Sequence, residues 1–243
     1  MDIKELKTAI KNTNSCQRNW DRSKVIPEEH INLFVEAIKW SPTKQNETHY
    51  KVAYTTNPEL IYKIYKKTKY FTVVHPEYNI ATDDYGNTKD EYNVCNSQTY
   101  SNLLIGIFHD WKQENSRAMI HKIVDERSET VKAEAMYQRA QHRLLSMGVV
   151  IGEIVLTASL LGYKTGLCSA HSSSEVGRLF GEEGDECIVL VGVGYPDLKR
   201  NRKEHEETYN RDIPDVGAIK TGAPDEKWLF PTFHKEVSCK RIS

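Results

Sequence analysis

The 243-residue chain shows no apolar run long enough to be expected to span a membrane. Its longest such stretch, around 147–161, is broken by Glu153, and a span needs about 18 or more apolar residues. It also lacks a charge excess. Its 33 Lys and Arg stand against 34 Asp and Glu, for a net charge of −1. General nucleic-acid binders carry a basic surplus, so nucleic acid is not an expected partner. Cysteine is sparse and scattered: Cys16, Cys95, Cys168, Cys187 and Cys239 form no C-x-x-C pair. An odd count without a framework suits a reducing compartment. The opening residues MDIKELKTAIKN carry no apolar signal core, so no secretion signal is expected and the protein is expected to be cytoplasmic.

Motif absences prune the chemistry further. No G-x-x-x-x-G-K-[ST] is present, which excludes a P-loop, and no G-x-S-x-G, which excludes a nucleophile elbow. Gly192-Val193-Gly194 lacks the third glycine and the following helix of a dinucleotide fingerprint. Nine His residues include no H-E-x-x-H and no Cys/His ligand spacing, so no metal site is expected.

What remains is a globular chain, 39% hydrophobic and 28% charged, large enough to bury ~70% of its unfolded surface. Ile3, Leu6 and Ile10 at helical spacing predict an amphipathic helix over the first ten residues. Pro27-Glu28-Glu29 opens a second helix through Trp40, with Ile31, Leu33, Phe34 and Ile38 inward, and Ser41-Pro42 stops it. Residues 50–55 read as a short strand, and Asn57-Pro58 caps a helix to about Lys69. Residues 71–96 are rich in Tyr, Asn, Asp and Thr, with a turn at 83–87, and read as a long surface excursion. The run 103–108 predicts a strand buried on both faces. Residues 114–161 are helical in character, and from about 132 the helix becomes apolar, with Gly148, Gly152 and Ala158 allowing close approach of another helix. Gly162 serves as its C-cap, 172–180 as a short helix, and 187–193 as the best strand. The segment from 204 to 243, with aromatic anchors Trp228, Phe230 and Phe233, reads as an extended arm, so one domain of 1–243 is expected.

Three polar segments stand out. Residues 14–21 place one arginine, Arg18, in a turn of small polar residues, able to surround an anion. Ser41-Pro42-Thr43-Lys44-Gln45-Asn46 is a polar turn directly after a helix. Gly162 to Ala170 offers small residues that let backbone approach a flat ligand, and the basic run 199–203 could hold a phosphate. Each alone also reads as an ordinary loop, helix stop or solvated face.

In combination and order, the segments resemble the nitroreductase family over roughly residues 1–205. Arg18-Asn19-Trp20-Asp21 leads to Ile26-Pro27-Glu28-Glu29 at the family's spacing, and the next helix ends in Ser41-Pro42-Thr43-Lys44-Gln45-Asn46. A long helix, Leu161-Gly162-Tyr163, a small-residue segment, a helix, a buried strand and Gly194-Tyr195-Pro196 follow. The resemblance implies an α+β fold: a mostly antiparallel central sheet flanked by helices, in an intertwined homodimer with FMN between subunits. It implies that Ser15, Cys16 and Arg18 meet the phosphate and ribityl chain, Arg18 reaching the pyrimidine edge as well. Pro42, Thr43, Lys44 and Asn46 would come from the second subunit. Asn96, or Gln98 beside it, would bond the pyrimidine ring, backbone groups of Ser169 and Ala170 would face N5 and O4, and Arg200 and Arg202 would close over the phosphate. Asn14 departs from the family, which usually has arginine there, and Glu47-Thr48-His49-Tyr50 alters the wall beside the site.

The implied activity is ping-pong transfer of electrons from NADH or NADPH, through FMN, to a small organic acceptor such as a nitroaromatic or quinone. The flavin carries the chemistry, so no protein catalytic residue is expected. His49, His109 and His171 read as structural or surface residues and Cys168 as a packing residue. The alternatives are a flavin-binding protein with little turnover, or a fold relative catalysing reductive dehalogenation or flavin breakdown.

Overall fold

The computed structural model describes residues 2–13, 16–46, 50–68, 71–74, 91–109 and 129–199. Helix α1 (Ile3–Asn12) starts at a capping box, in which Asp2 accepts the Glu5 N–H and Glu5 accepts that of Asp2. Helix α2 (Glu28–Trp40) follows Pro27, with acids in its first turn. Ile31 and Phe34 are buried there, whereas Leu33 is exposed, contrary to the sequence expectation. Positions 31, 34 and 38 share one helical face, and Leu33 falls outside it. Strand β1 (Tyr50–Thr55) is followed by α3 (Pro58–Tyr65), capped by Asn57 and ending before Lys69. Lys66 and Thr68 donate back to the last carbonyls, so the chain turns at once.

Two short strands, β2 (Phe71–Val74) and β3 (Glu91–Val94), pair antiparallel within the stretch expected to be a loop. The 75–90 connection and the 204–243 arm lie outside the described residues. Strand β4 (Leu103–His109) is central, and the long helix α4 (Glu129–Leu160) covers it. Gly162, at φ +83°, ends α4 in the left-handed region that glycine enters freely. Then come β5 (Lys164–Cys168), α5 (Ser173–Leu179) and β6 (Cys187–Gly194). Strand β5 runs through the small-residue segment, where the sequence predicts no strand: its register with β6 supplies the order that Lys-Thr-Gly-Leu-Cys does not signal by itself.

The four long strands form one antiparallel sheet in the order β1-β4-β6-β5. Alternation along β4 divides the core between its faces. Leu103, Ile105 and Ile107 pack with α2 and α4, through Phe34, Met147, Val150, Ile154 and Ala158. Leu104 and Phe108 pack with α3 and α5, through Ile61, Ile64 and Val176. Within α4, Ala140–Leu160 is in fact long and apolar enough to cross a membrane, more than composition suggested. Its inward residues are nevertheless committed to the sheet, while Tyr137, Leu144, Leu145 and Val149 are exposed.

Candidate functional site

Glycine decides what sits on the second face of the sheet near β5. A Cβ at Gly192 would lie 2.2 Å from Gln98 O, and one at Gly166 would lie 2.8 Å from both Gln98 O and Gln17 O. Without those atoms, the single 3-10 turn Ser97–Thr99 lies directly on β5 and β6. Trp20, buried, donates from Nε1 to Ser97 O at 2.8 Å. The Gln17 N–H donates to Thr165 O at 2.8 Å, the Asp21 N–H to Tyr195 O at 2.9 Å, and the Asp197 N–H to Asn19 O at 3.1 Å. Segments near 16–21, 96–99 and 165–171 therefore meet at one edge of the sheet.

Most of the described site residues from the sequence fall in this junction. Cys16 and Arg18 are half-buried, Arg18 lying between the buried Gln17 and Asn19. Asn96 and Gln98 are buried. Asn96 has a structural task the sequence did not suggest: its Oδ1 accepts the Gln98 N–H at 3.1 Å and caps the turn. Ser169 and Ala170 follow β5 and are exposed. Among the described residues their backbone N–H groups donate to no backbone acceptor, and the Ala170 amide bonds the Cys168 sulfur. Burial pushes the Cys168 thiol up despite hydrogen bonds with Ala170 and the Asn96 side chain, so it is no ready thiolate. Ser97 Oγ and His171 Nδ1 are buried without partners among the described residues, leaving polar capacity unspent at this junction.

The other turn lies elsewhere. Pro42, Lys44 and Asn46 are exposed and Thr43 half-buried. The Lys44 N–H donates to Ser146 Oγ at 3.1 Å, fastening the turn to α4, and Asn46 takes φ +57°. The turn borders a cleft of about 420 Å3 lined by Val35, Ile38, Ser41, Thr43, Asn46 and Tyr50. It precedes β1, the opposite edge strand from β5, three strand spacings or ~14 Å away. Within one chain, the structure does not join it to the Arg18 junction. Ser15, Arg200, Arg202, Asn14 and His49 lie outside the described residues.

His109 and His171 both have their imidazolium disfavoured, chiefly by burial. Sequence reasoning missed Gln17 and Thr68. Gln17 anchors Arg18 by its backbone, and Thr68 Oγ1 accepts the Asn96 N–H at 2.8 Å. Nothing local marks either residue. Arg22 is exposed and lays its guanidinium 3.5 Å from the centre of the Tyr100 ring, which stacks on Tyr65. No cluster of three or more metal-ligating side chains occurs among the described residues.

The donor set at the junction suits a flat polar ligand with an anionic end: a guanidinium, the N–H groups of an exposed turn and amide side chains around a small-residue strand. The nitroreductase family model matches residues 10–195. Solved structures share the fold at low identity. A nitroreductase with bound FMN from Bacteroides fragilis is 15% identical, with a TM-score of 0.52, 82% of this chain and 92% of that one covered. A nitroreductase family protein from Streptococcus pneumoniae is 15% identical, with a TM-score of 0.54 and coverage of 82% and 93%. A candidate NAD(P)H:FMN oxidoreductase from Staphylococcus epidermidis is 14% identical, with a TM-score of 0.56 and coverage of 83% and 91%. None of the curated proteins matches the chain.

Proposed function

The chain belongs to the nitroreductase family, and from that premise we propose that it is an FMN-dependent oxidoreductase using NADH or NADPH to reduce a small organic acceptor. The observation that carries this reading is the junction itself: Arg18, Gln98 and the exposed Ser169-Ala170 turn are assembled from three distant segments around one sheet edge. Bound FMN would supply the electron transfer, accepting a hydride and passing reducing equivalents onward. The chain's residues bind and orient it. Arg18 provides positive potential where the ligand's charge gathers. The Ser169 and Ala170 N–H groups offer donors at fixed positions, and Asn96 holds the turn that presents Gln98. Cys16 lies beside Arg18, and Ser15, Arg200 and Arg202 complete the phosphate end in this reading.

The second half of the site comes from a partner copy. Pro42, Thr43, Lys44 and Asn46 precede the edge strand opposite their own Arg18 junction, so in this reading a homodimer would bring them to the partner's flavin. The exposed apolar face of α4, with Tyr137, Leu144, Leu145 and Val149, gives the dimer a surface to bury.

Titration of the purified protein with FMN, followed by flavin fluorescence, tests the reading. Quenching or a spectral shift at micromolar FMN is expected, and no change would overturn it. Light scattering should give twice the 28.0 kDa chain mass. A monomer with FMN bound would refute the two-chain site.

A further inference from the structure

The turn after β5 is tied down on several sides. The Ser172 N–H donates to Lys67 O at 3.0 Å, and His171 forms an isolated antiparallel bridge with Thr68. Thr68 Oγ1 donates to Tyr65 O at 2.6 Å while accepting the Asn96 N–H, so the same residue links the turn to the Gln98 segment. The remaining tie is a side chain. His171 Nε2 lies 3.0 Å from Cys187 O, at the first residue of β6. A carbonyl oxygen can only accept, so Nε2 carries the proton. Nδ1 is buried with no partner among the described residues. A proton added there would be a buried donor without an acceptor. Among the described residues, the geometry favours a neutral ring with one committed N–H.

We infer that His171 is a positioning residue of the flavin site: its Nε2–H bond to Cys187 holds the Ser169-Ala170 turn against β6, fixing that turn's backbone N–H groups beside Asn96. The inference rests on the proposed flavin reading. It assigns His171 no contact with the ligand and no proton transfer.

The surroundings make this tie sensitive to acid. Burial pushes the His171 imidazole below its ordinary range, and the Cys187 carbonyl opposes it less strongly. Of the segments packed around it, the turn after α3 and helix α5 contribute Lys67 and Glu175, which are paired with each other at 2.6 Å. Strands β5 and β6 contribute the thiols of Cys168 and Cys187, the latter pushed up to about 12, and both uncharged at neutral pH. Cys95 precedes Asn96. No unpaired anion in this set holds an imidazolium. With the folded pKa below the unfolded value of about 6.5, the tie contributes fully above that value and is lost as pH falls through the folded one.

The test compares wild type, His171→Gln and His171→Phe between pH 5.5 and 8, by FMN fluorescence titration and by amide NMR of Ser169 and Ala170 in the FMN-free protein. Gln keeps a donor near the Nε2 position and cannot titrate. The wild-type amide shifts should move with a midpoint below 6.5, and FMN affinity should fall about tenfold at the acid end, the loss expected for one hydrogen bond. His171→Gln should match wild type at pH 8 and show a flat profile. His171→Phe should bind about tenfold more weakly throughout. If His171→Phe fails to fold, His171→Gln decides alone. Superimposable pH profiles and amide shifts for wild type and His171→Gln would overturn the inference. If wild type binds no FMN at any pH, the functional reading falls instead, and the amide titration still decides whether His171 holds the turn.

Discussion

At the β5 edge of the sheet, backbone bonds and glycines bring three distant segments into contact. At the β1 edge, a cleft of about 420 Å3 stands open beside a polar turn fastened to α4. The first edge is close-packed to the point that Gly166 and Gly192 have no room for a methyl group. The second leaves Trp40 83% exposed and Tyr54 47% exposed. Helix α4 repeats the contrast: Met147, Val150, Ile154 and Ala158 are buried, while an added Cβ at Gly148 or Gly152 would meet nothing within 4 Å. Among the described residues, the chain packs one edge closely and leaves a polar turn and an apolar helix face exposed. A structure with finished and unfinished halves fits a site shared between two copies.

The strongest way to break this contrast is to add a methyl on each side of it. Gly192→Ala drives a Cβ into the Gln98 carbonyl, and the backbone there must move. A loss of about 3 kcal/mol is expected, at the upper end for overpacking, which lowers the melting temperature by about 10 °C in a chain of this size. FMN affinity should fall with it. A change under 2 °C would show that the turn does not rest on the sheet as described.

Gly152→Ala is the matched change on the open side. In an isolated chain, alanine would raise helix stability by up to about 1 kcal/mol. In a dimer closely packed at this face, it should instead weaken association, seen as a melting temperature below wild type that drops further on dilution. A uniform rise of about 2–4 °C would mean that no partner helix lies there.

Arg18→Ala and Arg22→Ala sharpen the β5 edge itself. Losing a charge-assisted bond typically costs about 1.5–3 kcal/mol, so Arg18→Ala should weaken FMN about tenfold or more. Arg22 stacks on Tyr100 instead. Its loss should cost about 0.5–1 kcal/mol of stability with FMN affinity unchanged. Equal effects on FMN would place the wrong arginine at the site.

The buried frame was legible where local pattern and tertiary demand agree. Residues of β4 form an unbroken apolar run because both faces of that strand are covered. Asn57-Pro58 and Gly162 announce helix ends by backbone chemistry alone. Strand β5 was not legible, since its register comes from β6 and its Gly166 reads as a turn signal until Gln98 is known to lie above it. At the site, Arg18 and the 41–46 turn were legible as ordered motifs. Their separation was implied only by the family resemblance, which gives 42–46 to the second subunit, because sequence order does not encode which strand lies at which edge. Gln17, Thr68 and His171 act through bonds to residues tens of positions away or through their own backbone, and no residue type signals that.

The smallest expected effect belongs to the β1 edge. Lys51 on β1 reaches both Glu182 and Asp185, clamping the edge strand to the loop after α5. The Lys51 side chain is 32% exposed, and those of its partners 31% and 10%, so water and salt reduce what the charges contribute. Exposed pairs are worth up to about 1 kcal/mol. Asp185 first, then Glu182, raises the Lys51 pKa above its ordinary 10.5. The clamp therefore contributes fully below that value and is lost as pH rises through the raised one. Lys51→Met should lower stability by about 0.5–1 kcal/mol in urea unfolding at pH 7. The loss should shrink in 1 M salt, where the Debye length is about 3 Å, and FMN affinity should stay unchanged. If Lys51→Met instead weakened FMN as much as Arg18→Ala, the two edges would not be independent, and the clamp would have to act on the flavin junction through the sheet.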